Sequence, residues 1–111
     1  VAEREGVIGV IAFNRMLDPA WYLGQPRLPL TRLIEAIDHI CQVTGTAAAA
    51  GIGSDLDGGF GMASTPAELG SVADLPKIGD LLRERGYTDR DVQAIMHDNW
   101  LRLMSKVLDA F

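Results

Sequence analysis

Two carboxylates stand in a glycine-rich segment, residues 51–61. Asp55 and Asp57 follow a run of small apolar residues, and Gly58 and Gly59 come directly after them. A carboxylate in such a segment can accept a proton from water or hold a cation, and the glycines let a substrate approach the backbone. The alternative is a turn aspartate that satisfies loop amides. The spacing leaves both interpretations of Asp55 open, whereas Asp57, next to a glycine, favours the turn.

The same glycines do not form a phosphate-binding loop. A dinucleotide fingerprint needs Gly-x-Gly-x-x-Gly opening a helix, and a P-loop needs Lys-Ser or Lys-Thr after its glycines. Residues 51–61 meet neither requirement, and their acidic residues would repel an anion. The two histidines, His39 and His97, are far apart in sequence and do not have the spacing of metal ligands. We therefore expect no metal site within this segment.

Two apolar runs predict the strands that would position these carboxylates. Residues 6–13 are nearly continuous, apolar and rich in β-branched side chains, which is typical of a strand buried on both faces. Asn14 follows this run. Residues 47–53 predict a second buried strand that leads into Asp55. Because active sites of parallel α/β folds gather where strands end, we expect Asn14 and Asp55 at one edge of the sheet.

A loop and a helix are predicted between the two strands. Residues 18–29 contain three prolines and predict a long irregular loop. From Leu30 apolar residues recur at helical spacing, and Gly45 predicts the C-cap of that helix. The order of elements therefore predicts a right-handed βαβ unit.

Two further helices are predicted to close the chain. Ser64-Thr65-Pro66 favours a helix start, and that helix would stop at Gly86. Thr88 and Asp91 predict the N-terminal cap of the last helix. Asn99 lies near the apolar stripe of this last helix, where a buried amide needs partners. We expect it to brace the Asp55 loop, as a structural support; the alternative is a polar residue at the edge of the stripe.

Composition excludes several classes of function. The chain has 111 residues and a net charge of −5, without the basic stripe of a nucleic-acid-binding protein. Its single cysteine, Cys41, allows no intrachain disulfide, and no apolar run approaches the roughly 20 residues of a membrane span. The first residues lack a signal peptide and an initiator Met, so we expect a segment of a longer protein, with the cytoplasm as default compartment.

Several motifs resemble one known family in the same order. Residues 51–58 are similar to the Gly-Ile-Gly-Ser-Asp-Phe-Asp-Gly signature of the membrane (renal) dipeptidases, a family of zinc peptidases. The likeness covers nearly the whole chain. It extends to residues 6–10, Ile37-Asp38-His39-Ile40, the Leu-x-x-Arg-Gly-Tyr of residues 82–87, and residues 91–103.

The resemblance implies a fold, a reaction and site residues. The family folds as a (β/α)8 TIM barrel with two zinc ions, so the two predicted strands would be the seventh and eighth of that barrel. Asp55 would accept a proton from the zinc-bound water and pass it toward the leaving amine of a dipeptide. Asn14, Gly58 and Gly59 would lie in loops on the substrate side, and Asp57 would support the structure.

The chain also departs from the family pattern. Leu56 replaces the usual Phe, His97-Asp98 stands where Gly-Gly is common, and residues 47–50 stand where a His-Val pair is common. The family's zinc ligands come from earlier strands, which this chain does not contain. We therefore expect residues 1–111 to form a single C-terminal part of a dipeptidase, inactive on its own.

Two other functions remain open from the sequence. One is a non-catalytic αβ interaction module that pairs through its strand edges. The other is a different amidohydrolase-like barrel enzyme with the same ending, since a fold does not fix a function. Two strands cut from a barrel leave unpaired edges, so we expect the chain to associate, for example as a homo-oligomer.

Overall fold

The computed structural model describes residues 1–56 and 58–109, which form an α/β fold. Its sheet consists of two parallel strands, β1 (Ile8–Val10) and β2 (Ala50–Ile52). Ile8 lies opposite Ala50 and Val10 lies opposite Ile52. The predicted pair of parallel strands joined by a helix is therefore confirmed.

Five helices accompany the strands within the described residues. A short helix, α1 (Asn14–Leu17), directly follows β1, and α2 (Thr31–Thr44) lies between the strands. After β2 come α3 (Pro76–Glu84), α4 (Asp89–Gln93) and α5 (Asn99–Asp109), and a π-helical segment, Ala94–Asp98, joins the last two. Single 3₁₀ turns occupy Ala2–Arg4, Ala47–Ala49, Met62–Ser64 and Val72–Asp74. None of the helices within the described residues is long and apolar enough to cross a membrane.

Helix α2 forms where its apolar spacing predicts it. Its buried face carries Leu33, Ile34, Ile37 and Cys41. The helix ends at Gly45, whose φ of 76° is the left-handed conformation that glycine adopts without a Cβ clash. At the other end the Leu30 amide donates to Glu68 Oε2 at 2.9 Å. A carboxylate from a distant loop thus stabilises the start of α2.

Both strands are shorter than the apolar runs that predict them. Strand β1 itself covers residues 8–10 of the predicted 6–13. Residues 47–49 form a 3₁₀ turn, in which the Thr46 hydroxyl accepts from the Ala48 amide at 3.0 Å. This local bond competes with strand pairing, so β2 begins only at Ala50.

The predicted helix start at Ser64-Thr65-Pro66 is wrong. The chain makes turns until α3 begins at Pro76, which occupies the first helical turn. The Thr65 hydroxyl donates to the Met62 carbonyl at 2.7 Å and so closes a turn instead of capping a helix. The Thr88 side chain does cap α4, because its oxygen accepts from the Asp91 amide at 3.2 Å.

The hydrophobic core lies between the sheet, α2, α3 and the last helices. Its fully buried side chains include Leu33, Ile37, Ile78, Leu82 and Ile95. Cys41 borders this core, and burial raises the pKa of its thiol. Because a raised pKa keeps the thiol protonated, Cys41 packs as a small apolar side chain.

Helix α5 lies against the two strands where glycines leave room. The Trp100 indole donates to the Ile52 carbonyl at 3.1 Å. A Cβ atom on Gly51 would lie 2.6 Å from the Trp100 Nε1 atom, which is too close for any other residue. Gly51 is therefore required by the packing of the last helix on the sheet.

Candidate functional site

The two strands end at one edge, and the residues after them stay paired. The Gly53 amide donates to the Val10 carbonyl at 3.0 Å, and the Ala12 amide donates to the Ser54 carbonyl at 2.9 Å. Asn14 and Asp55 follow these paired residues. The structure therefore brings both to the carboxyl edge of the sheet, meaning the edge at which β1 and β2 end.

Asp55 is an exposed carboxylate on an unusual backbone. Its φ of 53° lies in the left-handed region, which Asp and Asn tolerate better than other side chains. Within residues 1–56 and 58–109, no hydrogen bond or ion pair engages the Asp55 carboxylate. The turn interpretation requires that carboxylate to accept loop amides. The carboxylate is exposed to solvent, and both interpretations of Asp55 stay predictions.

Gly58 lies against Asp55. The Gly58 amide donates to the Asp55 carbonyl at 2.9 Å. A Cβ atom on Gly58 would lie 2.8 Å from that carbonyl oxygen and still closer to Asp55 Oδ1. Gly59 is exposed with a φ of 98°, which only glycine adopts readily. Asp57 lies outside the described residues, so its predicted structural role stays a prediction.

Asn14 is buried rather than exposed at this edge. Its side chain is 0% exposed, and its Nδ2 atom donates to the Thr65 carbonyl at 3.1 Å. Its Oδ1 atom is buried and has no partner among the described residues. The side chain thus ties the end of β1 to the segment 62–69, and a direct contact with substrate stays a prediction.

Arg27 holds the same segment and was not singled out from the sequence. Its guanidinium donates to the carbonyls of Thr65, Pro66 and Leu69, at 3.0, 2.7 and 2.7 Å. It also donates to the Thr65 hydroxyl at 2.9 Å. In the sequence, Arg27 stands out only as an arginine between two prolines of the predicted loop, residues 18–29. These bonds fix the backbone of residues 65–69 beside the carboxyl edge.

An aromatic pair joins the glycine-rich segment to the residues that follow β1. The rings of Phe13 and Phe60 stack with centroids 4.4 Å apart and planes 11° from parallel. Such a pair stabilises beyond the area it buries. It holds the segment that carries Asp55 against the end of the first strand.

Asn99 braces the opposite edge of the sheet, at which the strands begin. Its Nδ2 atom donates to the carbonyls of Ala47 and Ala50, both at 2.7 Å. Arg102 donates to Asn99 Oδ1 at 3.2 Å and to the Ala48 carbonyl at 3.1 Å. The hypothesis that Asn99 braces the Asp55 loop is therefore wrong, because α5 begins beside the start of β2.

A second titratable cluster lies between α2 and the turn after α3, away from the carboxyl edge. The Tyr87 hydroxyl donates to Asp38 Oδ1 at 2.5 Å, and this bond lowers the pKa of the Asp38 carboxyl. Burial raises the pKa of Tyr87. Arg85 pairs with Asp38 at 3.2 Å. The cluster joins α2 to the turn after α3, so we assign it to structure.

The described residues do not form a metal centre. No group of three or more His, Cys, Asp or Glu side chains in residues 1–56 and 58–109 could hold an ion. His39 is exposed on α2, and His97 Nδ1 lies 2.6 Å from Asp98 Oδ1. Asp55 could supply one oxygen, which is fewer ligands than a zinc site needs.

Known proteins resemble this chain in sequence and in fold. A Klebsiella pneumoniae protein described as "Uncharacterized protein in pqqA 5'region" is 37% identical over 107 residues, which are 96% of this chain and 37% of that protein. The crystal structure of the dipeptidase AC, a metallopeptidase of family M19, has the same fold, with a TM-score of 0.74 and 24% identity. The alignment covers 88% of this chain and 27% of that one.

The chain therefore spans about a third of the length of its curated relative. The family model described as "Membrane dipeptidase (Peptidase family M19)" matches residues 1–110. Because this match covers almost all of the sequence, the chain belongs to the membrane dipeptidase family, peptidase family M19.

Proposed function

We propose that this chain is the C-terminal part of a zinc-dependent dipeptidase and that Asp55 is one of its catalytic residues. The observation that carries the proposal is the exposed Asp55 carboxylate at the carboxyl edge of two parallel strands. Membership in a family of metallopeptidases supports hydrolysis of a peptide bond. Active sites of parallel α/β folds lie at this edge.

Asp55 would move a proton during hydrolysis. Water adds to the carbonyl carbon of the dipeptide, and the carbon–nitrogen bond then breaks. The Asp55 carboxylate accepts the proton that the water loses and returns it to the leaving amine nitrogen. Its exposure allows the approach to about 2.6–3.2 Å that such transfer requires.

The zinc ions would be held by residues outside this chain, since the described residues lack a ligand cluster. We propose two ions in the complete enzyme, as in the family that this chain resembles. Zinc, when bound, supplies a water of lowered pKa and stabilises developing negative charge. This segment contributes the carboxylate and the loops around it.

The two strands would be the seventh and eighth of a (β/α)8 barrel. An exposed apolar stripe on α5 supports packing against further elements, because an isolated domain rarely leaves such a stripe in water. The stripe consists of Leu101, Met104 and Leu108, which are 60%, 54% and 63% exposed. Their spacing of three and four residues places them on one face of the helix.

The test uses the complete protein from its native reading frame. Dipeptide turnover should disappear when a chelator removes the metal and return when zinc is restored. The isolated 111-residue chain should show no turnover and bind zinc weakly, and it serves as the matched control. A folded, fully zinc-loaded complete protein that hydrolyses no dipeptide would contradict the proposal.

A further inference from the structure

A pocket of about 320 Å³ lies beside the segment that carries Asp55. Its volume is at the lower end of the range of ligand pockets, roughly 300–1,000 Å³. The side chains that form its walls are mainly apolar, and all of them follow β2 in the sequence. They include Leu56, Phe60, Met62, Leu69 and Val72.

Two residues connect the pocket with the segment that carries Asp55. Leu56 is the residue next to Asp55, and it lines the pocket. Phe60 lines it too, while its ring stacks on Phe13 at the end of β1. A molecule bound beside the Asp55 carboxylate could therefore extend one group into this pocket.

The floor of the pocket is fixed, and its rim is apolar and exposed. Leu69 is 1% exposed, and its carbonyl accepts from Arg27 at 2.7 Å. Met62 and Val72 at the rim are 60% and 68% exposed. Binding is favoured when a ligand removes such large apolar side chains from water. A fixed floor lowers the ordering cost of binding.

The chemistry of the walls selects the occupant. No charged side chain lines the pocket among the described residues. The hydroxyls of Thr65 and Ser71 also line it. The Thr65 hydroxyl already donates to the Met62 carbonyl at 2.7 Å, and the Ser71 oxygen accepts from the Ala73 amide at 3.2 Å. A charged side chain of a ligand would lose its hydration here without gaining a partner of opposite charge, which is unfavourable.

We propose that this pocket binds an apolar side chain of the dipeptide substrate and so gives the enzyme a preference for it. The inference rests on the proposed dipeptidase function and adds the class of side chain that the site accepts. An added methylene in such a pocket changes kcat/KM by about tenfold or more. The preference should therefore be measurable between leucine and glycine at one position.

The test compares two matched variants of the complete zinc-loaded enzyme. Val72→Lys places a charge at the rim of the pocket. Val43→Lys places the same charge near the end of α2, where Val43 is 71% exposed and does not line the pocket. The kcat/KM values for Leu-Gly, Gly-Leu, Asp-Gly, Gly-Asp and Gly-Gly give the preference in both positions of the dipeptide.

The complete enzyme should prefer leucine over glycine and aspartate in one position by about tenfold or more. Val72→Lys should reduce that ratio to about threefold or less, and Val43→Lys should leave it intact. Val72→Thr is nearly isosteric and should reduce the ratio by a smaller amount. It provides the test if the lysine variant does not fold.

Two outcomes would overturn the inference in distinguishable ways. If the enzyme hydrolyses dipeptides but Val72→Lys and Val72→Thr keep the wild-type ratio, the pocket has no part in selection and the dipeptidase function stands. If the loaded enzyme hydrolyses no dipeptide, the proposed function fails and this inference fails with it.

Discussion

The two edges of the sheet are built in contrasting ways. At the edge where the strands begin, Asn99 and Arg102 bond to backbone carbonyls. At the carboxyl edge, Asp55 is exposed in a left-handed conformation and engages no partner among the described residues. One edge satisfies its polar groups, whereas the other leaves a carboxylate available.

The contrast indicates that one edge of the sheet mainly stabilises the fold, whereas the other can take part in chemistry. Polar side chains that bond buried carbonyls stabilise the fold. A polar side chain that the fold leaves free in solvent contributes little to stability and can act on a ligand. We therefore expect substitutions at the two edges to change different measured quantities.

The largest expected effect is on turnover, from Asp55→Asn in the complete enzyme. Losing a positioned acid–base group costs about 10²–10⁴ in rate. The KM should change less than kcat, because the proton transfer belongs to the transition state. Steady-state kinetics at full zinc occupancy measures both values.

Asp57→Asn is the control for this substitution. It removes a carboxylate from the same segment, and we expect Asp57 to serve the turn. Its kcat should fall much less than that of Asp55→Asn. An equal loss of kcat in both variants would assign the effect to the charge of the segment and not to Asp55.

Asn99→Ala should have the largest effect on stability. It removes two donors from the Ala47 and Ala50 carbonyls. Each unsatisfied buried group costs about 1–3 kcal/mol, so losing both bonds should lower the free energy of unfolding by about 2–6 kcal/mol. Denaturant unfolding of the complete enzyme measures the change.

Gln93→Ala provides the matched control for Asn99→Ala. Gln93 is an exposed amide at the end of α4, in the same continuous helical stretch as Asn99. Its removal should leave the unfolding midpoint nearly unchanged. If both variants lose the same free energy of unfolding, the buried hydrogen bonds of Asn99 do not explain the loss, and the prediction is wrong.

Gly58→Ala should have a moderate effect on turnover. The added methyl group would contact Asp55 Oδ1 and displace the carboxylate. A displacement of about 1 Å can cost up to 10² in rate, and we expect about tenfold here because Asp55 is exposed and can adjust. Gly61→Ala is the control, since a Cβ atom there meets nothing within 4 Å. Equal kinetics in both variants would contradict the role of Gly58.

Lys106→Ala should have the smallest effect. Lys106 Nζ lies 2.5 Å from Glu5 Oε2 near the edge where the strands begin, but both side chains are well exposed. Exposed ion pairs contribute little and are screened by salt. The unfolding midpoint should stay within error of the wild type. A clear loss, removed by high salt, would show that this edge also depends on surface charge.

Local signals in the sequence predicted much of the fold. The spacing from Leu30 onward and Gly45 as C-cap gave α2, because both depend on neighbouring residues. The Thr88 cap was predicted for the same reason. The position of Asp55 after a buried strand also follows from the sequence, since strand ends of parallel folds share an edge.

Contacts between distant residues could not be predicted in this way. The segment 64–69 resembles a helix start, but its carbonyls bond Asn14 and Arg27, which lie 38 to 51 residues away. Asn99 finds its acceptors 49 and 52 residues earlier. Spacing along one element carries no information on such partners, and so the target of Asn99 was predicted wrongly.

The most direct test of the account measures kcat per folded molecule and the free energy of unfolding together, in Asp55→Asn and Asn99→Ala of the complete enzyme. Asn tolerates the left-handed backbone of Asp55, so that variant should unfold like the wild type while losing at least about 10² in kcat. Asn99→Ala should lose stability and keep its kcat per folded molecule. An Asp55→Asn enzyme that retains more than about a tenth of kcat, or that loses as much stability as Asn99→Ala, would contradict the account.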